Sequence, residues 1–146
     1  MQATFSFQIL TPQGLVSKGE ASAISLPTHL GEITILADHV PMVALLTHGE
    51  GRIFKLGESE PWPFFCTTGA VQISANHEVT ILTKEATPSA DLTETAIETA
   101  KAAAMARLDA VGLEDNRAQV LAEASLMREL IKLKLAQKNR SRSLNQ

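Results

Sequence analysis

Four histidines, one cysteine and a scatter of carboxylates are the side chains of this 146-residue chain that could support metal binding or catalysis. His29, His39, His48 and His77 have no zinc-ligand spacing to one another or to Cys66. They read as loop or surface residues, and no metal is expected. Cys66 follows Phe64 and Phe65, the setting of a buried thiol rather than a nucleophile. A lone cysteine also excludes an internal disulfide framework and fits a reducing compartment. No serine sits in a G-x-S-x-G elbow. Gly49-Glu50-Gly51 lacks the further Gly, Lys and Ser/Thr of a phosphate loop, and reads as a turn between two strands. Glu32, Asp38 and His39 are the nearest thing to an acid/base set. Glu32, however, opens a strand and the other two follow in a turn, so catalysis is not expected there.

Charge is distributed unevenly. Residues 1–114 carry 6 basic against 13 acidic side chains, net −7, whereas residues 115–146 carry 7 against 3, net +4. A basic tail on an acidic body suggests that the tail meets an acidic partner. No aromatic residue follows Phe65. Basic residues interleaved with aromatics, the mark of single-stranded nucleic-acid binding, are therefore missing. A protein-facing helix fits better, and no nucleic-acid partner is expected. No apolar run approaches the ~18 residues of a membrane span. The first ten residues lack a positive charge ahead of an apolar run, so a signal peptide is not expected.

The elements that would position these residues change character near Pro88. Before it, Phe5, Phe7 and Ile9 alternate with Thr4, Ser6 and Gln8, the period of a half-buried strand. Further strands are expected over 21–26, 32–36, 51–56, 64–66, 70–73 and 79–82, separated by turn residues such as Thr11-Pro12-Gln13-Gly14. Such short, regularly spaced strands point to a sandwich or barrel. After Pro88 there is no proline, and Gly112 is the sole glycine. Asp91 followed by Glu94 suggests a capping box. Ala96, Ala100, Ala103, Ala104 and Leu108 recur at helical spacing, and Gly112 is placed to cap and hinge the helix. A second helix is expected from Asp115 or Asn116, with Val120, Ala124, Met127, Ile131 and Leu135 as its apolar stripe and Leu126, Leu130 and Leu133 widening it. A frayed polar end is expected from Ser141. Strands followed by helices, without alternation, argue an α+β chain in two parts, 1–87 and 88–146.

The segment from Pro27 to Pro41, P-T-H-L-G-E-I-T-I-L-A-D-H-V-P, resembles the signature of ATP synthase epsilon subunits: a turn, G-E-[IL]-x-[IL], then H-x-P. Thr11 to Gly14, Ser17 to Ala21, Gly49 to Ile53, Thr68 to Val71 and Val79 to Leu82 resemble the family's other strands and turns in order. The sequence departs from the family at Thr34, where Gly is usual, at Asp38, where Gly or Asn is usual, and at Thr68-Gly69, where a Gly pair is common. The resemblance implies an N-terminal antiparallel β-sandwich followed by a C-terminal two-helix hairpin. It implies a non-catalytic rotor subunit of the central stalk of a proton-translocating F-type ATP synthase, peripheral to the cytoplasmic face of the cell inner membrane, without direct membrane insertion. Its partners would be the gamma subunit, the c-ring and the alpha/beta catalytic ring. Contacts to gamma and the c-ring would fall on Gly31, Glu32, Asp38, His39 and Pro41. Inhibition of ATP hydrolysis would fall on Arg128, Lys132, Lys134 and Lys138. Some bacterial members bind ATP through Ile/Leu-Asp-x-x-Arg-Ala at the start of the first helix. The matching positions here are Leu92, Thr93 and Ala96, so Asp and Arg are both lost and no nucleotide cofactor is expected. The alternative is a stand-alone β-sandwich binding module with a helical arm.

Overall fold

The computed structural model describes residues 3–112 and 114–144. Its strands are β1 (Phe5–Thr11), β2 (Gly14–Ala21), β3 (Ala23–Thr28), β4 (Gly31–Leu36), β5 (Met42–Leu46), β6 (Gly49–Phe54), β7 (Trp62–Cys66), β8 (Gly69–Ile73), β9 (Val79–Thr83) and β10 (Ala86–Pro88). A 3-10 turn, Ser89–Asp91, then leads to α1 (Glu94–Ala110) and α2 (Asn116–Leu144). The chain divides into two compact units, Met1–Pro88 and Ser89–Gln146.

In the first unit the ladder runs β10-β7-β6-β3-β5-β8-β9-β1-β2, with β4 on β3. Every pairing is antiparallel except that of β1 with β9. The β3–β5 link is a single register pair, Thr28↔Leu46. It is the corner at which one sheet, β4-β3-β6-β7-β10, passes into the other, β5-β8-β9-β1-β2. Between them lies an aliphatic and phenylalanine core that includes Phe7, Ile9, Ile24, Leu26, Ile35, Ile53, Phe64, Val71 and Ile81. The alternation of β1, β8 and β9 sends every second side chain into that core.

Three strands depart from the sequence expectation. β2 is a separate edge strand, and its mostly exposed residues leave no alternation to read. β5 is a continuous apolar run, and β10 is three residues long. Gly49-Glu50-Gly51 is not a turn but the opening of β6. A Cβ on Gly51 would lie 2.3 Å from Cζ of Phe64, so glycine there makes room for a core ring.

In the second unit α1 and α2 pack along each other. Alanine-rich sequence favours α1 intrinsically. Asp91 lies in the 3-10 turn, and Thr93 is the N-cap, without a side-chain cap bond, so the expected capping box does not form. α1 ends at Ala110 with Val111 as its extended cap. Gly112 lies in the connection, where its carbonyl accepts the Asp115 N–H at 3.2 Å. The Asp115 carboxylate then caps α2 by accepting the Ala118 N–H at 3.0 Å. Arg140 near the end of α2 donates to Glu94 at the start of α1 at 3.4 Å. The helix runs on to Leu144 rather than fraying from Ser141, and residues 145–146 lie outside the described residues. Of the expected stripe, Leu135 is buried and Ile131 half-buried, but Val120, Ala124 and Met127 are exposed. The better covered side of α2 runs instead through Ala118, Ala122, Ser125, Glu129, Lys132 and Ala136.

Candidate functional site

β4 carries the two loops expected to make contacts, one at each end. At its start, Gly31 takes φ 115°, which a side chain would strain, and turns the β3–β4 hairpin. Thr28 Oγ1 accepts the Leu30 N–H at 3.2 Å and fixes the tip, where Leu30 is fully exposed. Glu32 follows, and Arg52 from β6 reaches across β3 to donate to its carboxylate at 2.7 Å. Both side chains are partly in water, so this pair orients the carboxylate more than it stabilises the fold.

At the far end, Asp38 takes φ 63°, the left-handed conformation that explains why Gly or Asn suits this position. The His39 N–H donates to the Leu36 carbonyl at 3.3 Å, and its Nδ1 lies 2.8 Å from the Val40 carbonyl. His77, in the β8–β9 turn, places Nδ1 3.2 Å from the His39 carbonyl, so the two turns brace each other. Pro41 is exposed at the entry to β5. The four steps of β4 from Glu32 to Leu36 span about 13 Å, and His39 lies in the turn beyond them. Glu32, Asp38 and His39 are therefore not brought together as an acid/base set. Gly31 and Glu32 form one surface, and Asp38, His39 and Pro41 another.

The remaining candidates fall elsewhere. Cys66 is buried, and desolvation pushes its thiol up to about 12, which leaves it protonated and unreactive. Among the described residues no group of His, Cys, Asp and Glu could hold a metal. Leu92 and Thr93 precede α1, and Ala96 is exposed on its first turn. On α2, Arg128 and Lys132 bracket the carboxylate of Glu129 at 4.0 and 3.8 Å. The Lys132 side chain is only 13% exposed, whereas Lys134 and Lys138 are exposed.

One surface was missed from the sequence. The outward side chains of the sheet β5-β8-β9-β1-β2 line up across all five strands as Leu45–Ala70–Leu82–Leu10–Leu15. Leu45, Leu82 and Leu15 are 66%, 47% and 52% exposed. The neighbouring row, Val43–Gln72–Thr80–Gln8–Lys18, is more polar. An apolar row this long on a solvated sheet face marks an interaction surface. Its signal was the loss of alternation at strand ends: Leu10 follows Phe5, Phe7 and Ile9 out of phase, and Leu82 follows Val79 and Ile81 likewise.

Residues 4–89 match the family model described as ATP synthase, Delta/Epsilon chain, beta-sandwich domain. An ATP synthase epsilon chain of Chloroflexus aggregans is 33% identical over 130 residues, covering 89% of this chain and 90% of that one. An epsilon chain of Acidithiobacillus ferridurans is 31% identical over 140 residues, 96% of each. Among solved structures, a chain of the Euglena gracilis mitochondrial ATP synthase, determined as OSCP/F1/c-ring, shares the fold at a TM-score of 0.72 and 21% identity. It covers 92% of this chain and 81% of that one. With the sandwich, the helical pair and these relatives in agreement along nearly the whole length, the chain belongs to the ATP synthase epsilon family, as a non-catalytic subunit of an F-type ATP synthase.

Proposed function

We propose that this chain is a rotor subunit of the central stalk, joining the gamma subunit to the c-ring of a proton-translocating ATP synthase and restraining ATP hydrolysis through its helices. The observation that carries the reading is the apolar row on the outer sheet face. A side-by-side run of half-exposed leucines is costly in water and calls for a partner. Fully burying a leucine side chain is worth about 1.5–3 kcal/mol, so the exposed halves of Leu45, Leu82 and Leu15 together offer about 3 kcal/mol to an interface. That corresponds to about a hundredfold in affinity. The gamma subunit is the occupant that the family relationship favours. The solved relative in an OSCP/F1/c-ring assembly supports the same setting.

The hairpin tip at Leu30, Gly31 and Glu32 is assigned to the c-ring, and the turn at Asp38, His39 and Pro41 to gamma. No helix among the described residues is long and apolar enough to cross a membrane, and the family relationship favours peripheral association on the cytoplasmic face of the inner membrane. The basic side chains of α2, Arg128, Lys134 and Lys138 among them, supply the charge expected to meet the catalytic ring. Lys132 joins them only when α2 leaves its present packing. The direct test is binding to an alpha–beta–gamma complex lacking this chain. The wild type is expected to bind, and a Leu45→Asp, Leu82→Asp double variant to bind at least thirtyfold more weakly. Equal binding by both proteins would remove the outer face from the interface.

A further inference from the structure

Residues 37–41 carry the chain out of β4 in one sheet and into β5 in the other. Such a crossover has little ladder to hold it. Among the described residues its backbone closes on itself through one bond, from the His39 N–H to the Leu36 carbonyl at 3.3 Å. Pro41 has no N–H to add. The β8–β9 turn is firmer. Ser74 N–H donates to the Glu78 carbonyl at 2.9 Å, and His77 N–H donates to the Ser74 carbonyl at 3.0 Å. Glu78 N–H donates to Ser74 Oγ at 3.2 Å. The register pair Met42↔Ile73, at the start of β5 and the end of β8, sets the two turns side by side.

Within the firm turn His77 is half-buried and takes φ 61°. Glycine and asparagine adopt that conformation more readily than histidine. Turn geometry alone therefore does not call for this side chain. What the ring adds is a donor aimed at the weaker turn. Its Nδ1 lies 3.2 Å from the His39 carbonyl, and a carbonyl only accepts, so Nδ1 carries the hydrogen. His39 is then held twice. His77 grips its carbonyl, and its own Nδ1 donates to the Val40 carbonyl at 2.8 Å, which sets the ring. We propose that His77 is a positioning residue for His39. It holds the His39 peptide so that the imidazole meets the gamma subunit already in its bound orientation. Ordering a side chain on association weakens binding several-fold, and bracing it beforehand removes that cost. This inference rests on the assignment of the Asp38–Pro41 turn to gamma made above, and adds a residue from another turn that acts through it.

The test measures the affinity of full-length variants for the alpha–beta–gamma complex lacking this chain, together with the Tm of each variant. His77→Gly suits the left-handed backbone and removes the donor. It is expected to weaken binding about three- to tenfold with Tm little changed. His77→Asn also suits the backbone, and its amide nitrogen stands as many bonds from Cβ as Nδ1 does, so wild-type affinity is expected. His77→Asp has the shape of the Asn variant but sets an oxygen against the His39 carbonyl, and should bind at least as weakly as His77→Gly. His39→Ala keeps the carbonyl and removes the imidazole. In that background His77→Gly should cost nothing further, because the group it positions is gone. Wild-type affinity in His77→Gly, no recovery in His77→Asn, or full additivity with His39→Ala would each overturn the positioning role. If His77→Gly fails to fold, the isosteric Asn and Asp variants decide the case: equal affinities would overturn it. Wild-type affinity in His39→Ala would instead remove the turn from the gamma interface, the reading on which this inference rests, and the inference with it.

Discussion

Replacing Gly51 by alanine tests the packing of the sandwich at its tightest side-chain contact. The new Cβ would lie 2.3, 2.6 and 2.9 Å from three atoms of the Phe64 ring, all closer than carbon atoms can pack. Phe64 is fully buried between the sheets, so its ring cannot swing into solvent. Overpacking of this kind costs about 1–3 kcal/mol. Part is offset, because alanine constrains the unfolded chain and stabilises a tolerant site by about 0.4–1 kcal/mol. The net expectation is a loss of about 1–2 kcal/mol. For a domain of this size each kcal/mol moves the midpoint about 4–8 °C, so Tm should fall by roughly 5–15 °C. Gly19→Ala is the matched control. Its Cβ meets Phe7 at 3.6 Å, an ordinary contact, and its φ is not left-handed. Thermal melts of both variants, followed at the β-sheet circular dichroism band, give the comparison. Adding Phe64→Leu to Gly51→Ala should recover part of the drop by shortening the obstructing ring. Equal Tm values for Gly51→Ala and Gly19→Ala would refute the reasoning.

Three further outcomes are expected. Cys66 should resist thiol reagents in the folded chain near pH 8 and react after denaturation: its pKa near 12, against an ordinary 9, leaves about a thousandfold less thiolate. Because burial raises this pKa, the neutral thiol is the native form at working pH, and stability linked to it should begin to fall as pH rises past the ordinary value of 9 and go on falling until the folded value near 12. Calorimetric titration with ATP should show no micromolar binding, since Thr93 and Ala96 stand where the binding pattern has Asp and Arg. Removing residues 115–146 should raise the ATPase activity of the assembled complex and leave assembly intact. Unchanged activity would reduce α2 to a packing element.

What could be read in the sequence depended on which side of each element meets water. β1, β4 and β9 alternate because one face is core and the other mostly polar, and their positions followed directly from that period. β5 hid because Val43 and Leu45 are apolar although they point outward, which turned an alternating strand into a continuous apolar run. Leu45 belongs to the proposed docking face, and Val43 flanks it. The feature that obscured the strand is therefore the feature on which the proposed docking rests. β2 hid for the opposite reason, as an edge strand with few buried positions. Gly49-Glu50-Gly51 was read as a turn because glycine pairs usually mark one, whereas Gly51 serves a core ring contributed by a strand further along the chain. Single-chain periodicity cannot see such a neighbour. On α2, Val120, Ala124 and Met127 have helical spacing and looked like a core stripe, but small residues at Ala118, Ala122 and Ser125 lie on the better covered side. Close packing there selects for size, which a hydrophobicity pattern does not register.

Of the candidate residues, Glu32 and His39 were legible as loop positions flanking a strand, and the structure adds what orients them. Arg52 holds the Glu32 carboxylate, and His77 braces the His39 turn. Neither partner is near its target in sequence, so no local motif announced them.

The central claim is that this chain bridges gamma and the c-ring from opposite ends of β4, and cross-linking tests it most directly. Cysteine is placed at position 32 in one variant and at position 39 in another, within an assembled, active ATP synthase carrying cysteines in the c-subunit loop and in gamma. Cys66 can remain, since burial keeps it out of reach. The account predicts that Glu32→Cys links to the c-subunit and His39→Cys to gamma, with little exchange between the two, because they lie at opposite ends of β4 with about 13 Å of strand between them. Both positions linking to the same partner, or neither linking in a complex that still couples, would contradict it.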